Sequence, residues 1–247
     1  MQVVSNALRV LEEVAARQPV GVSALARELG MPKSTVQRCL GALRDAGWIR
    51  PAGGELQRWM VTTKLLAVGR LAGSELGLRD VALPVMEEVR RRTGETIHLM
   101  VPEGDTVVLI ERLETAKPLR IVLPLGKGLP LHASANGKAV LAASPPEFID
   151  RYIAAGLDRF TETTIVDEGT LREELALVRR RGYATNAGEW RSDIAAVAAP
   201  ALHGRYRPFA SLSISTPGAR MPEELRPEYG RLIAEAATDI SEAFRDA

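Results

Sequence analysis

Three short amphipathic segments, each ended by a helix breaker, open the chain, and that succession leaves few folds available. Ala7, Leu8, Leu11, Val14 and Ala15 share one face at helical spacing, which predicts a helix from about Val3 to Arg17, ended by Gln18-Pro19. Ser23 is a candidate N-cap for a second helix whose apolar positions are Leu25, Ala26 and Leu29. Gly30 supplies the residue that a sharp turn between helices needs, and Pro32 suits a first helical turn. A third helix follows to about Ala46, with Val36, Leu40 and Leu43 as its apolar face and Gly47 at its end. Helix, short helix, glycine turn, helix is the pattern of a helix-turn-helix.

The outer face of the third segment carries Lys33, Ser34, Thr35, Gln37, Arg38 and Arg44, all off the apolar stripe. Such side chains donate to phosphates, and Gln37 and Arg38 suit base edges in a major groove. Next come Trp48-Ile49-Arg50, a turn at Pro51-Ala52-Gly53-Gly54, and Leu56 to Thr62, which together read as a hairpin. A hairpin directly after a recognition helix is a wing, and Arg50 and Arg58 flank its turn, where backbone phosphate or a minor groove is within reach. Three helices and a hairpin also occur in modules that bind proteins. Charge distribution favours nucleic acid: Met1 to Thr63 holds eight basic and five acidic residues, a balance of +3, while the remainder holds 24 and 26, a balance of −2.

The whole chain, 247 residues with 46% hydrophobic and 26% charged side chains, has the composition of a soluble globular protein of one large or two ordinary domains. A single cysteine, Cys39, excludes an intramolecular disulfide and suits a reducing compartment. The opening MQVVSNALRV lacks the features of a signal peptide, and apolar runs such as Ile194 to Leu202 are too short to span a bilayer. A cytoplasmic protein with no membrane partner is the expectation.

Lys64 to about Glu75 and Arg79 to about Arg92 are helical in pattern, the second with Val81, Val85, Met86 and Val89 apolar. From Thr96 the texture changes. Thr96 to Val101 and Thr106 to Arg112 read as a hairpin around Glu103-Gly104-Asp105, and Leu119 to Leu123 is a third strand candidate. Helices at about Asn136–Ala143, Pro146–Ala155 and Glu168–Arg181, strands at Asp193–Leu202 and Phe209–Ser215, and a last helix over Glu223–Phe244 complete an α+β domain around a mainly antiparallel sheet.

No catalytic set emerges from this half. The three histidines, His98, His132 and His203, show no metal-ligand spacing and read as structural or surface residues. Gly137-Lys138 lacks the other residues of a P-loop, and no nucleophile elbow occurs. No metal and no cofactor are implied, and an enzyme is not expected. Two features suit a binding pocket. A helix beginning near Ala135 leaves the amides of Ala135 and Asn136 free for a carboxylate, although a simple Ser134 cap explains the same residues. Ser211, Ser213 and Ser215 alternate with Leu212 and Ile214, so period two sets three hydroxyls on one face of a strand; a solvated face is the alternative.

The run Leu25-Ala26-Arg27-Glu28-Leu29-Gly30-Met31-Pro32-Lys33-Ser34-Thr35-Val36-Gln37-Arg38 resembles the helix-turn-helix of the IclR family of bacterial transcription regulators. Trp59 to Gly69 resembles the family's wing exit and linker helix, and Gly94-Glu95-Thr96-Ile97-His98-Leu99 the opening strand of its ligand-binding domain. Leu129 to Ala139, Arg181-Gly182-Tyr183-Ala184 and Ala198-Ala199-Pro200 follow in order, so the resemblance covers nearly the whole chain. It implies a winged helix-turn-helix at 1–63, a linker helix at 64–78 that also pairs heads, and a GAF-like effector-binding domain at 79–247. It also implies an effector cavity at Ser213 and Ser215 beside Ala135 and Asn136. Against that pattern Asn186 stands where a carboxylate is frequent and Ala196 where a cysteine is frequent, so a more neutral and slightly larger site is expected.

The reading is a regulator that binds a double-stranded DNA operator as a homodimer or dimer of dimers. Its effector is a small organic acid, expected to be bulkier than a two-carbon one. An enzyme fused to a DNA-binding head and a ligand-independent DNA-binding or interaction protein are the alternatives.

Overall fold

The computed structural model describes residues 2–54, 57–71, 74–204 and 207–245. It forms two compact units, Met1–Gly73 and Ser74–Ala247, and the division falls within the stretch expected to act as a linker.

In the first unit, α1 (Gln2–Arg17), α2 (Val22–Leu29) and α3 (Lys33–Asp45) precede a two-stranded antiparallel hairpin, β1 (Ile49–Pro51) and β2 (Trp59–Val61), and then α4 (Lys64–Leu71). The core is Val10, Leu11 and Val14 from α1, Leu25 and Ala26 from α2, and Val36, Cys39, Leu40 and Leu43 from α3, closed by Ile49 and Trp59. Leu8 and Ala15, assigned to the buried face from their spacing, are exposed; the stripe is rotated toward Val10. Ser23 lies inside α2, whose N-cap is Gly21 with no side-chain cap. Gly30 takes a left-handed conformation (φ 62°) and ends α2 with its N–H on Ala26 and Arg27 carbonyls, the conformation only glycine adopts at little cost. The hairpin is anchored to the α1–α2 connection by paired backbone hydrogen bonds between Val20 and Trp59, at 3.1 and 2.8 Å. The expected start of the second strand at Leu56 lies outside the described residues.

The second unit opens with α5 (Ser74–Thr93), followed by β3 (Thr96–Glu103), β4 (Thr106–Leu113), β5 (Gly128–Pro130), α6 (Ala135–Ala143), α7 (Pro146–Ala154), α8 (Glu168–Arg181), β6 (Ala184–Ala187), β7 (Ile194–Leu202), β8 (Pro208–Pro217) and α9 (Arg226–Ala243). The six strands form one sheet in the order β5-β4-β3-β8-β7-β6, and every pairing is antiparallel. Alternation along the strands divides the core between the two faces. Ile97, Leu99, Val197, Leu212 and Ile214 pack with α5 and α9, while Met100, Leu109, Ala196 and Ala198 pack with α6, α7 and α8.

Leu119–Leu123 is not a strand. Ile121 and Leu123 are buried and Val122 exposed, the alternation of a strand without a ladder, while Leu119 at the start of the stretch is exposed. The β4 edge there pairs with β5 instead. The segment is held by side chains: Arg112 donates to the Leu123 carbonyl and Arg220 to that of Leu119. The final helix starts at Arg226, after a single 3₁₀ turn over Glu223–Leu225.

Candidate functional site

The buried positions of α3, Val36, Cys39, Leu40 and Leu43, recur at helical spacing and turn the opposite face to solvent. Lys33, Ser34, Gln37 and Arg38 are exposed on that face, and Thr35 is half-buried. Pro32 caps the helix without a side-chain bond. Thr35 and Val36 N–H both donate to its carbonyl, so among the described hydrogen bonds the amides of Lys33 and Ser34 have no partner. Free amides beside a lysine at a helix start suit phosphate oxygens. Arg38, Arg50 and Arg58 are exposed and carry no ion pair among the described residues. Arg44 differs from the expectation. Its Nε and one terminal nitrogen donate to Asp45 Oδ1 at 2.9 and 2.7 Å, so its charge is already engaged.

In the second unit the start of α6 is built by two close approaches. Ser134 Oγ donates to the Pro130 carbonyl at 2.7 Å and accepts from Gly137 N–H at 3.0 Å. A Cβ on Gly137 would lie 2.4 Å from Leu131 Cα and 2.5 Å from the Pro130 oxygen, so only glycine lets the helix sit this close. The Ser134 cap and the free amides coexist: Ala135 and Asn136 are buried, and no described hydrogen bond uses their N–H groups.

Both residues line a small cavity of about 20 Å³, space for about one water. Its polar wall includes His98, Ser134, Asn136, Asn186 and Ser215, and its apolar wall Ile121, Leu123, Trp190 and Ala196. The site therefore gathers five of the six residues expected to hold an effector. Ser213 stands one step behind, its Oγ 3.4 Å from Ser215 Oγ. The serines of β8 are buried rather than solvated. Ile121, Leu123 and Trp190 line the same cavity as Ala196.

Asn186 does structural work that a carboxylate could not share. Its Nδ2 donates to the Ala133 carbonyl just before α6, while Oδ1 accepts from Gly188 and Glu189 N–H at 3.1 and 3.3 Å. Asn136 Nδ2 donates to Ser211 Oγ at 3.1 Å. Beneath the cavity, Lys138 Nζ donates to both oxygens of Glu189. Burial pushes the Glu189 carboxyl above the usual carboxylate range, and the ammonium of Lys138 opposes that shift.

Sequence reasoning set His98 aside as structural. Its Nδ1 is 3.2 Å from Ser215 Oγ, while its Nε2 is buried with no partner. Burial, then the nearby Arg112 guanidinium, brings its pKa down to about 4, so the ring is neutral at neutral pH. The available signal was its place in Thr96-Ile97-His98-Leu99-Met100, a polar residue between apolar ones in a strand; its register with the serines of β8 shows only in the fold. His132, by contrast, is satisfied on both nitrogens, by Tyr152 Oη at 2.7 Å and the Asp158 carbonyl at 2.9 Å. Among the described residues, no group of side chains suited to a metal ion occurs and no helix is long and apolar enough to cross a membrane.

A three-helix head with a wing, carried on the same chain as an antiparallel-sheet unit, defines a two-part DNA-binding regulator. Residues 3–53 match the IclR helix-turn-helix domain, and residues 71–242 match the family described as bacterial transcriptional regulator IclR C-terminal. The chain belongs to the IclR family of bacterial transcription regulators. It is 29% identical over 248 residues to the transcriptional repressor IclR of Escherichia coli K12, covering 99% of this chain and 90% of that one. To the transcriptional repressor AllR of the same organism it is 32% identical, over 90% of this chain and 82% of that one. The IclR structure of Thermotoga maritima superposes with a TM-score of 0.82 at 28% identity, over 99% of both chains. An IclR homolog of Microbacterium hydrocarbonoxydans, solved in complex with 4-hydroxybenzoate, also gives a TM-score of 0.82, at 27% identity over 99% of this chain and 100% of that one.

Proposed function

We propose that the second unit binds a small organic acid in the cavity at the start of α6 and that this binding alters the affinity of the head for its operator. The carrying observation is the pair of buried, unengaged amides of Ala135 and Asn136 on the wall of a cavity lined by His98, Asn136 and Ser215. The complex of the Microbacterium homolog with an aromatic acid supports the same class of ligand. Ile121, Leu123 and Trp190 must draw back for anything larger than a water to enter.

In this reading Gln37 and Arg38 contact base edges, Lys33, Ser34 and Thr35 contact phosphate, and Arg50 and Arg58 of the wing reach the backbone or minor groove. One such head reads few base pairs, so a homodimer or dimer of dimers on a palindromic operator is the working form, in the cytoplasm and without a catalytic role. The segment 64–92 transmits the effector's presence, which requires the acid to bind two arrangements of the protein with different affinity. Repression is the favoured output, since the relatives IclR and AllR are named repressors.

The test selects an operator from a random duplex library with the full chain, then titrates 4-hydroxybenzoate, benzoate, succinate and butyrate into the complex while following anisotropy. A change in operator affinity with at least one acid, matched by calorimetric binding to the free protein, supports the reading. Operator binding that ignores all of them, with no heat on mixing, overturns it.

A further inference from the structure

A buried hydrogen-bonding atom without a partner is costly, and proteins retain one where a ligand or water completes it. His98 Nε2 is such an atom. The residue is 1% exposed, lines the cavity, and has no partner for that nitrogen. On its other side Nδ1 meets Ser215 Oγ, which in turn meets Ser213 Oγ. The three groups form a chain that can run in either direction.

Sheet register places a charged neighbour on the same face. His98 pairs with Arg112 on β4 and with Ser213 on β8, so all three side chains stand on the same face. The Arg112 guanidinium is the charged neighbour that bears on the ring. Positive charge there favours an electron-rich ligand atom. With an acceptor atom of a ligand at Nε2, the chain runs from Ser213 O–H to Ser215 Oγ and from Ser215 O–H to Nδ1, and the unpartnered Nε2 carries the proton.

We propose that His98 is a specificity-determining residue: its Nε2–H donates to a second acceptor oxygen on the bound acid, distinct from the carboxylate held at α6. The ligand class is therefore a carboxylic acid bearing a further hydroxyl, carbonyl or carboxylate oxygen, rather than a simple aliphatic or aromatic monoacid. This rests on the effector reading above and adds to it the second point of attachment.

Two matched pairs test it by calorimetry on the full chain: benzoate against 4-hydroxybenzoate, and butyrate against succinate. The expected result is at least a tenfold preference for the acceptor-bearing member of one pair, or about 1.4 kcal/mol. His98→Phe removes that preference, read as the ratio of the two affinities within each pair, whatever the substitution does to both members together. His98→Gln, which keeps a donor, restores part of it. A wild-type preference below twofold in both pairs, or one that survives in His98→Phe, overturns the inference while leaving the effector reading intact. Failure of all four acids to bind overturns both. Wild-type protein labelled with ¹⁵N-histidine gives a test that needs no variant. His98 shows a protonated Nε2 and an unprotonated Nδ1, and the Nε2 signal moves with 4-hydroxybenzoate and not with benzoate; the opposite tautomer in the bound state refutes the donor role.

Discussion

Lys138 and Glu189 form a buried ion pair, the ammonium donating to the two carboxylate oxygens at 2.8 and 2.7 Å with the lysine 1% exposed. The pair bolts α6 to the loop after β6, and Glu174 adds a third contact at 3.3 Å. Buried charges of this kind are balanced by their ionic partners rather than by water. Lys138→Met therefore leaves Glu189 buried and unpaired, and a loss of about 3–5 kcal/mol is expected in urea denaturation. The double variant Lys138→Met with Glu189→Met recovers most of that loss. A single variant as stable as wild type would show that the pair is not structural.

Gly137 and Gly41 offer a contrast between two helical glycines. A Cβ at Gly137 meets the backbone of Pro130 and Leu131, which cannot yield without moving β5 or α6, whereas Gly41 on α3 faces open space. Gly137→Ala is expected to cost about 1–3 kcal/mol or more by overpacking. Gly41→Ala is expected to stabilise by about 0.5–1 kcal/mol, because the helix gains a better former. Thermal unfolding of the two variants side by side checks both signs.

His98 titrates at about 4 in the folded chain and near 6.5 in the unfolded one. Between those values the unfolded state binds more protons, so this residue's contribution is complete above pH 6.5 and falls as pH drops toward 4. The expected slope is about 1.4 kcal/mol per pH unit over that interval. Arg112 widens the interval, since its charge also opposes protonation of the ring and so helps to lower the folded-state value. His98→Phe is expected to flatten the curve of unfolding free energy between pH 6.5 and 4 relative to wild type. Parallel curves would refute the assignment.

The head was legible because local rules govern it: a glycine with positive φ, a proline at a helix start and an apolar stripe act within a few residues. Even there Ser23 misled, since a capping side chain counts only where the backbone turns, and the turn came at Gly21. In the second unit, the alternation of Ser211, Ser213 and Ser215 with Leu212 and Ile214 was visible, but not which face is buried. That depends on α6 covering the sheet, a long-range fact. Leu119–Leu123 carries the alternation of a strand and lacks only a neighbour, which no local pattern reports. His98 became informative through pairing with residues more than a hundred positions away on β8.

The operator contacts can be sorted by three substitutions on α3. Arg38 is exposed and without an ion pair among the described residues, whereas Arg44, also exposed, spends its guanidinium on Asp45. Arg38→Ala is expected to weaken operator binding by about 1–3 kcal/mol and to relax base preference at the position it reads. Lys33→Ala, at the helix start proposed to meet phosphate, is expected to weaken all duplexes alike and to lower the slope of log affinity against log salt by about one. Arg44→Ala is expected to leave base preference unchanged and to weaken all duplexes alike, because its guanidinium is held by Asp45 rather than offered to a base edge. Anisotropy titrations on the selected operator and on a scrambled duplex, at four salt concentrations, separate the three outcomes. An Arg38→Ala protein with an unaltered footprint and unaltered selectivity would move base reading elsewhere, and Gln37, one residue back on the same exposed face, would be the next residue to substitute.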